Sequence, residues 1–337
     1  MSIRRALVVR SGAVGDCILT IPVFRLLGRC YPSAEIDVLG NPTNLEPIVS
    51  AGLAGRSVSI DRAVVSPMFG AESSIPDRTA AIFRDYDLVV SYLPDHDGRF
   101  RRNLKASCTA RVLSGKAHPA PDSRLHMSHV LQSILVENGI GPSERLPPDL
   151  SSLSTGSGFP RLIERLNIPG PDRPFIVLHP GAGSPEKRWP VPNWCELIRI
   201  VRAMHLAPVV TEGPADRSII DAMRQDLGDE MPRCLSNLPL VELGQLIAGC
   251  HGFVGNDTGV SHLAAAVGTP TIALFGPTDP AIWAPRGRMV EILWGGRVIK
   301  GDAGIPTSVG RAAGTEALAD ISVEQVAMRL ELLPADR

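Results

Sequence analysis

Short apolar runs that end in glycine-bearing loops alternate with helix-like segments along the whole chain, and the alternation begins afresh halfway. In the first half, Ala6–Val9, Glu35–Leu39, Val58–Ile60 and Leu88–Tyr92 read as strands. Asp16–Cys30, Leu45–Ala51, Thr79–Phe83 and Leu125–Asn138 read as helices. After SSLSTGSGFP, Ser151 to Pro160, which reads as a linker, strands are predicted at Phe175–Leu178, Pro208–Thr211, Gly252–Val254, Thr271–Phe275 and Met289–Leu293. Helices are predicted among them at Arg161–Leu166, Val191–Met204, Asp216–Asp226, Leu240–Gly249 and Ser261–Val267. Strands rich in Val, Ile and Leu are buried on both faces, and strand–helix alternation covers parallel sheets with helices. The expectation is an α/β chain of two Rossmann-like domains, 1–155 and 156–320, facing each other across a cleft, with a C-terminal helix in 321–337. Ser322 and Gln325 stand at capping-box spacing at the start of that helix.

Composition narrows the function. The 337 residues are 44% hydrophobic and carry a formal net charge of −1, so cores are ample and no global field favours nucleic acid or a membrane surface. Aromatic residues make up 4%, which leaves few platforms for stacking bases. The six cysteines, Cys17, Cys30, Cys108, Cys195, Cys234 and Cys250, include no CxxC pair, and scattered single thiols suit a reducing cytoplasm. MSIRR leads straight into a strand, and no apolar run reaches the roughly 18 residues of a membrane span. The chain reads as cytoplasmic, with peripheral contact with the inner membrane face left open.

In parallel sheets, ligands bind beyond the carboxyl ends of the strands, so the loops there carry the argument. LVVRSGAVGDCILTIP, Leu7–Pro22, looks at first like a phosphate loop, with Gly12 and Gly15 between strand and helix. Asp16 argues against that, because its carboxylate would meet the phosphate. HPGAGSPEKRWP, His179–Pro190, suits a diphosphate better. Gly181 and Gly183 expose backbone N–H groups, and Lys187 and Arg188 add positive charge before the next helix. An ordinary strand-to-helix turn with surface charges would look the same. GNDTGVSHLAAAVGTPTIALFGPTDP, Gly255–Pro280, sets Asp257 at a strand end, Thr258 and Gly259 at a helix start and His262 in its first turn. A helix N-terminus favours an anion by roughly 0.3–1 kcal/mol. Asp257 can accept from sugar hydroxyls and His262 can donate to phosphate. The competing reading is an N-cap aspartate and a buried histidine. Glu212 ends a predicted strand, where it would meet a nucleotide ribose or simply occupy an exposed turn.

These three blocks resemble glycosyltransferase family 9, the heptosyltransferases, and DISVEQV near the C-terminus resembles that family's close. The resemblance runs across nearly the whole chain and is most specific from Asn256 to Pro280. It implies a GT-B fold. It implies sugar transfer from a nucleotide-activated donor, typically ADP-heptose, to the inner core of lipopolysaccharide, with inversion and with no metal or other cofactor. By the same resemblance Asp16 is the general base on the acceptor hydroxyl, with Gly12 and Gly15 keeping the backbone low for the acceptor. Lys187 contacts the donor phosphates in the loop of His179, Gly181 and Gly183. Asp257 takes the sugar or adenosine hydroxyls, and Thr258, Gly259 and His262 surround the diphosphate. An inverting displacement needs these two kinds of group: a base for the acceptor oxygen, and positive charge for the leaving diphosphate. With a lysine and N–H groups on the diphosphate a metal ion becomes unnecessary, and PDHDGR, Pro94–Arg99, is the nearest approach to a DxD metal motif.

One loop departs from the family pattern. LPDHDGRFRRNLKA, after Leu88–Tyr92, is basic through Arg99, Arg101, Arg102 and Lys105. Arg99 and Arg102 are candidates for holding an anionic acceptor, the alternative being a solvated helix face. GDAGIPTSVGRAAGTEALAD, Gly301–Asp320, lacks the cysteines common there in the family. His126 and His129 have metal-like spacing without an acidic partner and suit one helix face. Trp189 and Trp194 either pack or border an adenine. Two other functions stay open: a nucleotide-sugar epimerase on the same fold, and a non-catalytic nucleotide-sugar-binding protein. A nicotinamide dehydrogenase is disfavoured, since the first loop lacks GxGxxG.

Overall fold

The structure is a computed structural model that describes residues 3–71, 75–120, 123, 125–154, 158–168, 173–301 and 316–334. Positions 155–157 of the predicted linker and positions 302–315 of the Gly301–Asp320 segment lie outside the described residues. The chain divides into two compact units, Met1–Pro148 and Asp149–Arg337.

The first unit holds a parallel sheet of β1 (Arg5–Val9), β2 (Glu35–Gly40), β3 (Ser57–Ser59), β4 (Leu88–Ser91) and β5 (Arg111–Ser114), in the order β3-β2-β1-β4-β5. The second holds β6 (Phe175–His179), β7 (Ala207–Glu212), β8 (Arg233–Ser236), β9 (Gly252–Asn256), β10 (Thr271–Phe275), β11 (Val290–Trp294) and β12 (Arg297–Lys300). Their order is β12-β11-β10-β9-β6-β7-β8, parallel except for β12, which runs antiparallel to β11. Both sheets wind the same way. The first strand of each lies between the second and the fourth: β1 between β2 and β4, β6 between β7 and β9. The winding therefore reverses between β1 and β4 and between β6 and β9. Open parallel sheets bind ligands at such reversals.

The central strands are apolar because both faces are covered. Leu7, Val9, Leu39 and Val89 pack with Phe83 and Phe100 in the first unit. Ile176, Leu178, Val254 and Leu274 pack with Trp189 and Trp194 in the second. Both tryptophans are fully buried, edge to face with ring centres 5.3 Å apart, so packing is the role they fill. The helix Val323–Glu331 sends Val323, Val326 and Leu330 into the same cluster. Its capping box closes as predicted, with Gln325 N–H donating to Ser322 Oγ and Ser322 N–H to Gln325 Oε1.

Several elements differ from the sequence expectation. The helix predicted over Asp16–Cys30 is two, Val14–Leu19 and Ile21–Cys30, parted at Thr20. Pro22 has no N–H to continue the first helix but suits the first turn of the second. The basic stretch after β4 is a helix, Arg99–Ser107, as the helix-face alternative had it, but not a wholly solvated one: it buries Phe100 and Leu104 one turn apart. Strands β5, β8 and β12 had not been predicted. Among the described residues no helix is long and apolar enough to cross a membrane.

Candidate functional site

In the first unit the loop after β1 fixes one carboxylate. Asp16 is the third residue of the helix Val14–Leu19, and its Oδ2 accepts the N–H of Ala13 at 3.0 Å. Its Oδ1 accepts Arg10 Nη2 at 2.8 Å, and Arg10 Nε reaches the Asp16 carbonyl at 3.4 Å. The Arg10 side chain is 3% exposed and that of Asp16 28%. A buried guanidinium thus holds a carboxylate that still meets solvent. Gly12 makes this possible. Its φ is +130°, and a Cβ there would lie 2.6 Å from Asp16 Oδ2. Asn44 Nδ2 donates to the Gly12 carbonyl at 2.9 Å and keeps the turn in place. Gly15 lies in the first turn of the Asp16 helix.

Beyond the ends of β4 and β5 lies a concavity of about 850 Å³. His96, Arg101, Arg102, Lys116 and His118 line it, with Asp95 the carboxylate in its wall. Asp95 caps the Arg99–Ser107 helix, accepting from the N–H groups of Phe100 at 3.0 Å and Arg101 at 2.9 Å. That leaves the concavity positive. Arg102 belongs to it, donating as well to the Asp97 carbonyl at 2.7 Å. Arg99 turns instead to Asp97 in an exposed ion pair at 2.7 Å.

In the second unit the candidates gather at the carboxyl edge of the sheet, at the β6–β9 reversal. Lys187 ends a short 3-10 turn, Pro185–Lys187, and its Nζ donates to Asp257 Oδ2 at 2.7 Å. The Asp257 side chain is 7% exposed and that of Lys187 30%, so the pair is a covered carboxylate under a reachable ammonium group. Thr258, not Asp257, is the N-cap of the helix Gly259–Ala266, with its Oγ1 accepting from Ser261 N–H at 3.4 Å. His262 is buried in that helix, and its N–H closes the first turn on the Thr258 carbonyl.

Three predicted residues have internal contacts. His179 is buried, with Nδ1 3.1 Å from Thr211 Oγ1 and Nε2 3.8 Å from Asp216 Oδ2. Burial lowers its pKa and outweighs the opposing pull of the Asp216 carboxylate. Gly181 is covered by Asp216, whereas a Cβ on Gly183 would meet open space. Glu212, at the end of β7, accepts from Ser236 Oγ at 2.7 Å and has a side chain 10% exposed. Of the other histidines singled out, His126 caps the helix Met127–Glu137 through Ser128 N–H, with its ring 5.7 Å from that of His129.

Sequence reasoning missed the residues that hold these groups: Arg10, Asp216 and Asn256. Asn256 is fully buried; its Oδ1 accepts Trp189 N–H at 3.1 Å, and its Nδ2 donates to the carbonyls of Pro180 at 2.7 Å and Gly181 at 3.3 Å. The asparagine thereby joins the end of β9 to the loop after β6. Only its place just before Asp257 in a glycine-flanked strand end hinted at it.

Comparison with known proteins bears on the family of the chain. The family model for glycosyltransferase family 9 (heptosyltransferase) matches residues 158–308. Lipooligosaccharide heptosyltransferase 2 of Haemophilus influenzae is 34% identical over 353 residues, covering 98% of this chain and 99% of that one. The solved E. coli ADP-heptose lps heptosyltransferase II matches with a TM-score of 0.75 at 20% identity, covering 97% of each chain. E. coli heptosyltransferase WaaC with ADP matches with a TM-score of 0.68 at 17% identity, covering 97% of this chain and 99% of that one. The α/β architecture of the GT-B class expected from the sequence is the one these structures share. The 34% identity to the Haemophilus influenzae protein, sustained from end to end of both chains and not confined to the second unit, means that the chain belongs to glycosyltransferase family 9, the heptosyltransferases, and is a glycosyltransferase.

Proposed function

We propose that this glycosyltransferase moves a heptose from ADP-heptose to an acidic acceptor of the lipopolysaccharide-core type, with inversion and with no metal or other cofactor. The observation that carries the reading is the Asp16 carboxylate. It is fixed by Arg10 and by Ala13 N–H, yet partly open to solvent, at the winding reversal of the first sheet. Each oxygen retains a lone pair beyond its structural bond, so a hydroxyl can approach without unmaking the support. Asp16 takes the acceptor's hydroxyl proton, the acceptor oxygen bonds to the anomeric carbon, and the bond to the diphosphate breaks as ADP leaves. A positioned base contributes roughly 10²- to 10⁴-fold in rate.

The second unit holds the donor. Lys187, the N–H groups of the Gly181–Gly183 turn and the helix start at Thr258 and Gly259 take the diphosphate, with His262 beside them. Asp257 and Glu212 take sugar or ribose hydroxyls. Lysine and backbone dipoles supply the positive charge that a metal would otherwise bring. The ADP seen with the E. coli relative supports this nucleotide. Arg101, Arg102 and Lys116 in the first-unit concavity suit a phosphate or carboxylate on the acceptor. Such an acceptor is a glycolipid, so the enzyme is proposed to work in the cytoplasm at the inner membrane face.

The test is product analysis with ADP-heptose alone and then with lipopolysaccharide-core acceptors added. The reading predicts ADP and a heptosylated acceptor only when both substrates are present. Conversion of the donor alone into another nucleotide sugar would overturn it in favour of an epimerase.

A further inference from the structure

The turn at 213–218 has no part in the chemistry above, yet the loop after β6 is built around it. Asp216 is 5% exposed. A Cβ on Gly181 would lie 2.1 Å from the Cγ and Oδ2 of Asp216 and 2.3 Å from its Oδ1, so the carboxylate occupies the place of the missing side chain. Asp216 Oδ2 also accepts the N–H of Gly213 at 2.9 Å and stands 3.8 Å from His179 Nε2. From the far end of the loop, Arg188 donates to the Ala215 carbonyl at 3.2 Å and to Ser218 Oγ at 3.4 Å. One turn therefore grips the loop before, within and after its glycine segment. Asn256 holds it from the β9 side.

We propose that Asp216 is a positioning residue for the donor. Its carboxylate, seated on Gly181, fixes the backbone so that the Gly181–Gly183 N–H groups and Lys187 meet the diphosphate together. This rests on the donor reading of that loop. Asp216 touches no substrate. Its Oδ2 is engaged by Gly213 N–H, and the residue precedes the helix Arg217–Leu227 without a side-chain capping bond to it. The seat is a matter of shape, and the contact is mutual: a methyl on Gly181 and the Asp216 carboxylate exclude each other.

The experiment measures ADP affinity by calorimetry, donor and acceptor KM, and Tm. The proteins are wild type, Asp216→Asn, Asp216→Ala, Gly181→Ala and the Gly181→Ala/Asp216→Ala double variant. Contacting residues couple strongly, so Gly181→Ala is expected to weaken ADP at least about tenfold, and the double variant to bind within about threefold of Asp216→Ala alone. Asp216→Ala raises donor KM about tenfold and leaves acceptor KM unchanged, while the isosteric Asp216→Asn stays within about threefold of wild type. Additive effects at 181 and 216 would overturn the proposal. So would an Asp216→Ala enzyme with unchanged ADP affinity, or one whose two KM values and Tm all shift together. Should Gly181→Ala fail to fold, the contrast between Asp216→Asn and Asp216→Ala decides alone. Wild type that does not bind ADP overturns the donor reading and this proposal with it; wild type that binds ADP with additive variants overturns the proposal alone.

Discussion

Lys187 and Asp257 are salt-bridged at 2.7 Å. Lysine truncation therefore does two things. It removes a cation from the diphosphate, and it leaves a carboxylate with a 7% exposed side chain facing the same anion. A charge-assisted hydrogen bond to the diphosphate is worth roughly 1.5–3 kcal/mol. Lys187→Ala is expected to lower ADP affinity at least tenfold, and Asp257→Asn in that background to recover part of it; calorimetry that finds Lys187→Ala unchanged removes Lys187 from the donor site. His179 gives a prediction in pH. Burial holds its folded pKa below the ordinary value near 6.5. On acidification through that value the unfolded chain takes up a proton that the native chain refuses, so stability falls as pH drops and is regained above it. The urea midpoint should decline below about pH 6.5, and His179→Gln should flatten that decline. A slope unaffected by the substitution would show that His179 does not contribute to it.

Among the elements, β2 carries a buried aspartate, Asp37, between the apolar Ile36 and Val38. Its Oδ2 accepts Arg5 Nη2 at 3.2 Å, Arg56 Nε at 2.9 Å and Tyr86 Oη at 2.6 Å. Burial, and then the bond to Asp37, push the Tyr86 pKa up to about 12. Asp37→Ala leaves the buried Tyr86 hydroxyl without its acceptor, while the more exposed arginines can rehydrate, and is expected to cost about 1–3 kcal/mol, read from the urea midpoint; a midpoint within error of wild type would show the network to be decorative. The same physics explains what the sequence revealed. Central strands such as β6 and β10 bury every residue and read as apolar runs of four, Phe-Ile-Val-Leu and Ile-Ala-Leu-Phe. The strands β5 and β8, Arg-Val-Leu-Ser and Arg-Cys-Leu-Ser, bury one residue each and read as loop. They stand at sheet edges, where pairing rather than burial defines the strand. The Arg99–Ser107 helix entered only as the alternative of a solvated helix face, because its buried face is narrow and its basic residues dominate the pattern.

Across the molecule, the two units repeat one winding from different sequences, with the candidate groups at the reversal in each sheet. That much was legible, because loops after strands can be located from strand runs alone. The supports of the site were not. Arg10 lies six residues before Asp16, Asp216 lies 35 residues after Gly181, and Asn256 lies 67 after Trp189. Winding brings the last two pairs together, and no local pattern marks them. The account as a whole rests on Asp16 acting as base while the second unit holds the donor. The direct test is turnover of Asp16→Asn with ADP-heptose and acceptor, alongside its ADP affinity and Tm. Asparagine can still accept from Arg10 through its one oxygen and gives up the bond from Ala13 N–H, so the variant should fold with a slightly lower Tm and bind ADP as wild type does. Its transfer rate should fall by at least about 10²-fold. An Asp16→Asn enzyme that transfers sugar at the wild-type rate would contradict the account.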